Sequence, residues 1–348
     1  MKTLKIGDKI ITESGKPFII AEAGVNYENS METALEMVKQ AAINGADAIK
    51  FQSYKAEKIA AKDSPAYWDT DKTQRDFFKL YDSFDEDDYR ELAKEAEKNK
   101  IYFLSTPFDN GAVDFLEPLV PAYKIASADI TNIPFLRYIA EKNKPMILST
   151  GAATIGEIEA AIKTIKEIRD VPIVPLHCIL SYPTEFKDAN LQMIKHLKKI
   201  FPENLVGYSD HTKPDKAMII LITAYLMGAS VLEKHFTLDK SLPGNDHYHA
   251  MDPQDLKLLS ENIDLVTQIL GEKEKRILDV ELPARKNARR SIVTTEALKK
   301  GDIITPANVT TKRPGKGIDP TYYDLLLGKK INQNLDEDEI LYWEYFFE

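Results

Sequence analysis

The sequence predicts an α/β fold: a TIM (β/α)8 barrel over residues 1–271, joined by a linker, 272–287, to a small C-terminal domain over 288–348. Three observations carry this. Short apolar runs alternate with helical apolar spacing eight times, the count of a closed barrel rather than of an open doubly wound sheet. Polar residues stand at or just past the ends of these runs, and a barrel gathers such residues at one mouth. After Gly271 the character changes: 272–287 is charged, lacks a sustained apolar face and contains Pro283, and beyond it short apolar pieces are broken by Gly301-Asp302, Pro306, Pro314-Gly315-Lys316-Gly317 and Asp319-Pro320. So small a unit has little core of its own and is expected to dock on a barrel, its own or a partner's.

In order, Phe18-Ile19-Ile20-Ala21-Glu22-Ala23-Gly24 is a buried-type strand that stops at a carboxylate and a glycine turn. Residues 31–44 follow with apolar residues at Ala34, Leu35, Val38, Ala41 and Ala42, one helical face, and Gly45 ends that helix as a C-cap glycine does. The second strand is 46–52. The polar stretch 53–84, with Pro65 and many aromatic and charged residues, is long enough to be a functional excursion. A helix over 85–99 leads to a strand at 102–105, and further strands fall at 122–125, 145–149, 171–177, 205–209 and 229–235, with helices between and a last helix over 253–270.

The unit 207–235 is the one around which the chemistry gathers. It opens with Gly207-Tyr208-Ser209-Asp210-His211 and closes with Val231-Leu232-Glu233-Lys234-His235, so two strands each end in an imidazole. Neighbouring parallel strands lie about 4.8 Å apart, so these histidines either share one ion or are two hydrogen-bonded loop histidines. The same mouth receives Glu22 and Asn26, Lys50 and Gln52, Lys124, Ser127 and Asp129, Ser149 and Thr150, His177 and Tyr182, Ser209, and Asp246. A buried lysine on a barrel strand is a Schiff-base amine or a cation for an anion; two of them, Lys50 and Lys124, favour the anion. Ser149-Thr150-Gly151-Ala152-Ala153-Thr154, ahead of a helix, adds hydroxyls and free amides for a phosphate or carboxylate. Glu22, Asp129, Glu233 and Asp246 are candidates for proton transfer and for holding sugar hydroxyls. His247 and His249 alternate in a Gly/Pro-rich loop and could bind metal, but they rank below the strand-end pair and a surface role is expected of them.

Composition bounds the partners. The net charge of −9 argues against a nucleic-acid groove but leaves room for a small anionic substrate held by local cations. A single cysteine, Cys178, excludes an internal disulfide framework. The first residues have no apolar core of signal-peptide length, and no segment approaches the ~20 apolar residues of a membrane span, so a cytoplasmic protein is expected.

The ordered motifs Ile20-Ala21-Glu22-Ala23-Gly24-Val25-Asn26, Lys50-Phe51-Gln52, Leu104-Ser105-Thr106-Pro107-Phe108, Lys124-Ile125-Ala126-Ser127, Leu148-Ser149-Thr150-Gly151, Tyr182-Pro183-Thr184, Gly207 to Thr212, Glu233 to Asp239 and Pro243-Gly244-Asn245-Asp246 resemble those of the sialic acid synthase family, the N-acetylneuraminate, legionaminate and pseudaminate synthases. The C-terminal part resembles that family's antifreeze-like (SAF) domain, with Lys312-Arg313-Pro314-Gly315 as its arginine motif. The resemblance implies condensation of phosphoenolpyruvate with a 2-acetamido sugar aldehyde, with release of phosphate. It implies that His211 and His235 hold a divalent metal, manganese first with magnesium or cobalt as alternatives, and that Glu22 handles the attacking water. By the same resemblance Lys50, Lys124, Ser127, Ser149 and Ser209 contact phosphoenolpyruvate, and Gln52, Asp129, Tyr182 and Asp246 hold the sugar. The resemblance further implies that Arg313 reaches in from the other subunit of a domain-swapped homodimer. Three positions depart from the family pattern: Asp129 stands for a glutamate, Leu180 for an asparagine, and Tyr27-Glu28-Asn29 for His-Glu/Asn-Gly, which alters the lip beside Asn26. Two other functions compete, a metal-dependent aldolase or isomerase on the same barrel and a non-catalytic sugar- or phosphate-binding protein.

Overall fold

The computed structural model describes residues 2–66, 71–244 and 246–347. It consists of two compact units, Met1–Gly271 and Glu272–Glu348.

The first unit holds eight parallel strands: β1 (Phe18–Gly24), β2 (Ala48–Ser53), β3 (Tyr102–Pro107), β4 (Tyr123–Ile125), β5 (Met146–Ser149), β6 (Ile173–Cys178), β7 (Val206–Asp210) and β8 (Ala229–His235). Their order in the sheet is β3-β2-β1-β8-β7-β6-β5-β4. Each strand therefore pairs with its neighbours in sequence, and β8 returns to β1. β3 and β4 lie side by side and close the barrel without a hydrogen-bonded ladder among the described residues. Every residue of β1 and of β8 is buried. Strands covered on both faces read as continuous apolar runs, and this is why the eight were legible as such.

Helices follow the strands on the outside: α1 (Met31–Ile43), α2 (Glu86–Lys98), α3 (Asn110–Leu116), α4 (Ile133–Glu141), α5 (Ile155–Ile168), α6 (Gln192–Ile200), α7 (Ile219–Leu226) and α8 (Pro253–Leu270). Their starts are set by side chains that accept from first-turn amides: Ser30 for α1, and full capping boxes for α2 from Asp85 and Asp88, for α5 from Thr154 and Glu157, and for α8 from Asp252 and Asp255. Pro253 at the head of α8 costs no hydrogen bond, because first-turn amides have no helical acceptor. No described helix is long and apolar enough to cross a membrane.

Register decides what meets at the mouth. Lys50 of β2 and His235 of β8 both stand opposite Glu22 of β1, and Glu233 and Lys234 of β8 stand opposite Ser209 and Asp210 of β7. A slip of one residue would send each of these side chains to the other face of the wall.

Four features depart from expectation. The first residues form an antiparallel hairpin, Thr3–Ile6 with Lys9–Thr12, whose Leu4, Ile6 and Ile11 join the barrel core. Its polar groups reach the entry ends of the strands: Lys9 pairs with Asp47 before β2, and Lys2 donates to the carbonyl of Asn204 before β7. The stretch 53–84 is not a bare loop. It carries two short helices, Ala56–Ile59 and Gln74–Phe78, and Asp82 accepts from the amide of Ala56 at 3.0 Å. Within 272–287, read as linker, a helix Leu282–Ala288 forms, with Pro283 in its first turn where a missing amide is harmless. Finally, the second unit has a core of its own, Ile292, Leu298, Ile304, Val309, Ile318, Leu326, Ile331, Leu335, Leu341 and Phe346, around the antiparallel pair Ser291–Thr294 and Val309–Lys312.

Gly207 of β7 marks a close approach of three strands in the wall. A Cβ there would lie 2.6 Å from the carbonyl oxygen of Val231 on β8 and would overlap Leu176 on β6. Gly207→Ala is expected to lower stability by about 1–3 kcal/mol through overpacking, read as a lower urea midpoint with an unchanged m-value.

Candidate active site

Two lysines and two carboxylates meet at the barrel axis, all buried: Glu22, Lys50, Lys124 and Glu233 are each at most 5% exposed. Lys50 pairs with Glu22 and lies 3.7 Å from Glu233, while Lys124 lies 3.5 Å from the other oxygen of Glu233. Hydroxyls complete the set. Lys50 donates to Thr106 at 3.2 Å, Lys124 to Ser149 at 2.8 Å, and Ser209 donates to Glu233 at 2.9 Å. Gln52 holds the second oxygen of Glu22 at 3.1 Å.

The cluster sets its own protonation. Burial pushes the Glu22 carboxyl up to about 7 against the pull of Lys50, with Glu233 pushing the same way. Burial opposes the charge on Lys50, but Glu22 and Glu233 outweigh it and hold the ammonium up. Lys124 is held low, by burial first and by Lys50 as well. Glu233, between the two lysines, stays low despite its burial. Shifts of this kind concentrate at functional sites.

Beside the cluster, three imidazoles face one another. His211 and His235 have ring centroids 5.5 Å apart, His235 and His249 5.0 Å, and His211 and His249 6.4 Å. Tyr182 lies over His211 with centroids 4.2 Å apart. His211 Nδ1 meets the carbonyl oxygen of Ile179 at 2.7 Å, which turns Nε2 outward with its lone pair. Cys178 Sγ stands 3.9 Å from the same Nδ1; burial disfavours charge on both, and their mutual attraction holds the thiol low and the imidazole up. His235 is held well below the usual range by burial, and His249 is pushed down to about 3 by the same cause. Asp246 approaches His235 Nδ1 at 3.4 Å, and its carboxyl is raised by burial to about 6.

This arrangement can hold a divalent ion on imidazole nitrogens, receive an anion on two lysines, and offer a carboxyl that titrates near neutrality to a water. Comparison with known proteins gives the family. Residues 37–275 match the NeuB family and residues 289–346 the SAF domain. The chain belongs to the NeuB family, the sialic acid synthases. Among relatives, an N,N'-diacetyllegionaminic acid synthase of Campylobacter jejuni is 40% identical, over 94% of this chain and 99% of that one. The human N-acetylneuraminate-9-phosphate synthase is 33% identical, over 93% and 91%. A solved N-acetylneuraminic acid synthetase of Leptospira borgpetersenii superposes with a TM-score of 0.72 at 34% identity, over 81% of this chain and 94% of that one. A TIM barrel followed by an SAF domain is thus the architecture of this NeuB-family enzyme.

The structure gathers Glu22, Lys50, Gln52, Lys124, Ser149, Ser209, His211, Tyr182, His235 and Asp246 at one end of the barrel through the contacts above. Ser127 joins them at the β5 exit, where it accepts from the amide of Gly151 at 2.9 Å. Asp129 closes the 3₁₀ turn after β4, half-buried and accepting from Asn132 at 3.2 Å, with its carboxyl raised by burial. Arg313 is exposed, just past the strand Val309–Lys312 of the second unit.

Several assignments change. The helix start after Ser149 is not an open anion cradle: Thr150 donates to the carbonyl of Leu176, and the first turn of α5 is capped by its own Thr154 and Glu157. His247 and His249 are fully buried, not on the surface. The 3₁₀ turn His247–His249 folds the loop beneath the mouth, and His247 anchors it through Glu28 at 2.9 Å and Thr237 at 2.7 Å. Tyr27 does not form the lip; it is buried against Phe51 and Phe84. His177 turns from the chemistry, bonding to the carbonyl of Ala189 at 2.8 Å and stacking on Tyr208. Leu180 lies against Gly151, where it adds an apolar wall beside Ser127 and Cys178.

The pair Asp210 and Lys234 was not singled out from the sequence. They form a buried ion pair at 2.7 Å, each side chain at most 2% exposed. Asp210 also accepts from Thr212 and Tyr208, so it holds the turn that carries His211. Lys234→Met is expected to cost about 3–5 kcal/mol by leaving a buried carboxylate unpaired, whereas the double variant Asp210→Asn, Lys234→Met loses less than the sum of the two single changes. Urea titrations of all three variants check this.

Proposed function

We propose that this NeuB-family protein condenses phosphoenolpyruvate with a 2-acetamido sugar aldehyde, N-acetylmannosamine or a 2,4-diacetamido-6-deoxy hexose, to give a nonulosonic acid and phosphate in a metal-dependent reaction with C–O cleavage. The observation that carries it is the buried set of Lys50 and Lys124 across Glu233, adjacent to three facing imidazoles. Two buried cations suit a compact polyanion, and the imidazoles suit a divalent ion.

The residues fit such an ion. His235 Nδ1 and both nitrogens of His249 are buried without a hydrogen bond, and His211 presents Nε2 while Nδ1 is occupied. His211 and His235 are the residues that would hold manganese, or magnesium or cobalt. Bound there, the ion would supply Lewis-acid polarisation of the aldehyde carbonyl.

The chain's own groups perform the rest. Lys50 and Lys124 neutralise the phosphate and carboxylate of phosphoenolpyruvate, and Ser127, Ser149 and Ser209 orient them as preorganised donors. Gln52, Asp129, Tyr182 and Asp246 position the sugar so that the enol C3 meets the aldehyde carbon. As that C–C bond forms, positive charge develops at C2, and Glu22 accepts a proton from the water that adds there. The tetrahedral product then loses phosphate by C–O cleavage, with Lys50 and Lys124 stabilising the departing anion. Arg313 completes the sugar pocket of the partner subunit in a swapped homodimer. The higher identity to legionaminic acid synthases, 40% against 33% for the human N-acetylneuraminate-9-phosphate synthase, supports reading the 2,4-diacetamido-6-deoxy hexoses as the first sugars to try.

Purified protein given phosphoenolpyruvate, manganese and a sugar panel should release phosphate with one sugar only, and a chelator should stop it. Binding of phosphoenolpyruvate without turnover on any sugar would favour the binding-protein alternative, and pyruvate consumption in place of phosphate release would favour an aldolase. For the active sugar, kcat/KM should fall as pH drops through about 7, because Glu22 is protonated below that value and cannot take a proton. Glu22→Gln should lower kcat by ~10²–10⁴ and abolish that acidic limb.

A further inference from the structure

His249 is a buried imidazole to which the proposed chemistry gives no ligand role. It and His247 lie two residues apart in the loop between β8 and α8, both fully buried, yet their surroundings differ. His247 spends one nitrogen on Glu28 and the other on Thr237. Among the described residues His249 hydrogen-bonds through neither nitrogen, and Asp246 Oδ1 stands 3.7 Å from its Nε2, beyond hydrogen-bond reach. Each such buried polar atom destabilises the fold unless something pairs with it. A loop that folds two histidines inward and satisfies only one of them calls for a partner of the other, and an ion is one such partner.

The neighbours supply the rest of a coordination sphere. One ligand atom each from His235, Asp246 and His249 lies within 4.8 Å of the others. His235 Nδ1 is likewise buried without a hydrogen bond. His235 ends a barrel strand, while Asp246 and His249 bracket the turn that His247 pins, so rigid backbone carries all three. Asp246, given above to the sugar, turns one oxygen to each imidazole: Oδ2 lies 3.4 Å from His235 Nδ1 and Oδ1 3.7 Å from His249 Nε2.

We propose that His249 and Asp246 join His235 as direct ligands of the divalent ion, extending the strand-end pair of His211 and His235 by one loop imidazole and one carboxylate. A set of this composition binds first-row transition ions in preference to magnesium, since added nitrogen donors favour iron, cobalt and zinc while oxygen and water suit magnesium. The assignment rests on the metal-assisted function proposed above but concerns binding, not turnover.

The test uses full-length protein stripped of metal and titrated with cobalt(II) alone, followed by calorimetry and by the visible d–d absorption. Wild type should bind one cobalt per chain, and millimolar magnesium should not displace it. His249→Leu, of similar bulk without a donor, should weaken cobalt by at least about tenfold, the loss found even for groups that only support a ligand, and should change the absorption bands. Asp246→Asn should also weaken cobalt and shift the bands. Metal-free melting temperatures establish folding, and His249→Gln serves if the leucine variant does not fold. Unchanged affinity and bands in the His249 variant, or no cobalt binding by wild type, would overturn the assignment. Tight cobalt binding that depends on His249 in a protein that never releases phosphate would sink the condensation and leave this ligand set standing.

Discussion

Everything at the mouth depends on keeping Lys50, Lys124, Glu22 and Glu233 charged or chargeable while almost no water reaches them. Burying ions costs several kcal/mol each, and their mutual attraction recovers this only when geometry and hydrogen bonds are good. The barrel supplies that geometry through parallel ladders that place Lys50 beside Glu22 and Glu233 beside Ser209. Hydroxyls of Thr106, Ser149 and Ser209 add hydrogen bonds to Lys50, Lys124 and Glu233. An apolar quartet in the same space would hold the fold equally well, so the cluster is best understood as a receptor for charge. On the proposed function, an incoming anion would take over the lysines from Glu22 and Glu233.

The wall that supports this cluster is built from two kinds of constraint. One is close packing, as at Gly207, where three strands approach so nearly that a methyl group does not fit. The other is local capping, which starts helices at definite residues so that the strand exits between them have definite lengths. Asp210 and Lys234 combine the two: a buried pair on adjacent strands that also fastens the turn carrying His211. A mouth assembled from strand ends is rigid by construction, and catalytic geometry gains from that rigidity. The loop after β8 is brought to the same standard by His247, whose two hydrogen bonds tie it to Glu28 and Thr237.

Much of this was legible along the chain. Continuous apolar runs announced buried parallel strands, because covering both faces of a strand leaves no polar positions in it, and the residues that interrupt or end those runs, such as Lys50, Lys124, His211 and His235, had to be functional or costly. The C-terminal hydrophobic cluster was not legible. Its core residues, among them Ile292, Leu298, Ile304, Ile318 and Leu341, are scattered singly between turns and show no period. The N-terminal hairpin was missed for a related reason, since four-residue strands give a pattern too short to stand out.

The sequence by itself determined the barrel, its strand order in outline, and the residue types at each strand exit, because these follow from local periodicity and from the rule that a barrel collects its strand ends at one mouth. Only the tertiary structure decided which of two histidines in one loop is an anchor and which is left without a hydrogen bond, that Tyr27 is core and His177 a stacking partner, and that Asp210 and Lys234 form a pair. Those outcomes depend on partners distant in the chain, Glu28 with His247 and Ala189 with His177, and on how far each group is cut off from water. Periodicity encodes which face a residue takes; desolvation and pairing are properties of the assembled neighbourhood, and they decide what the residue does there.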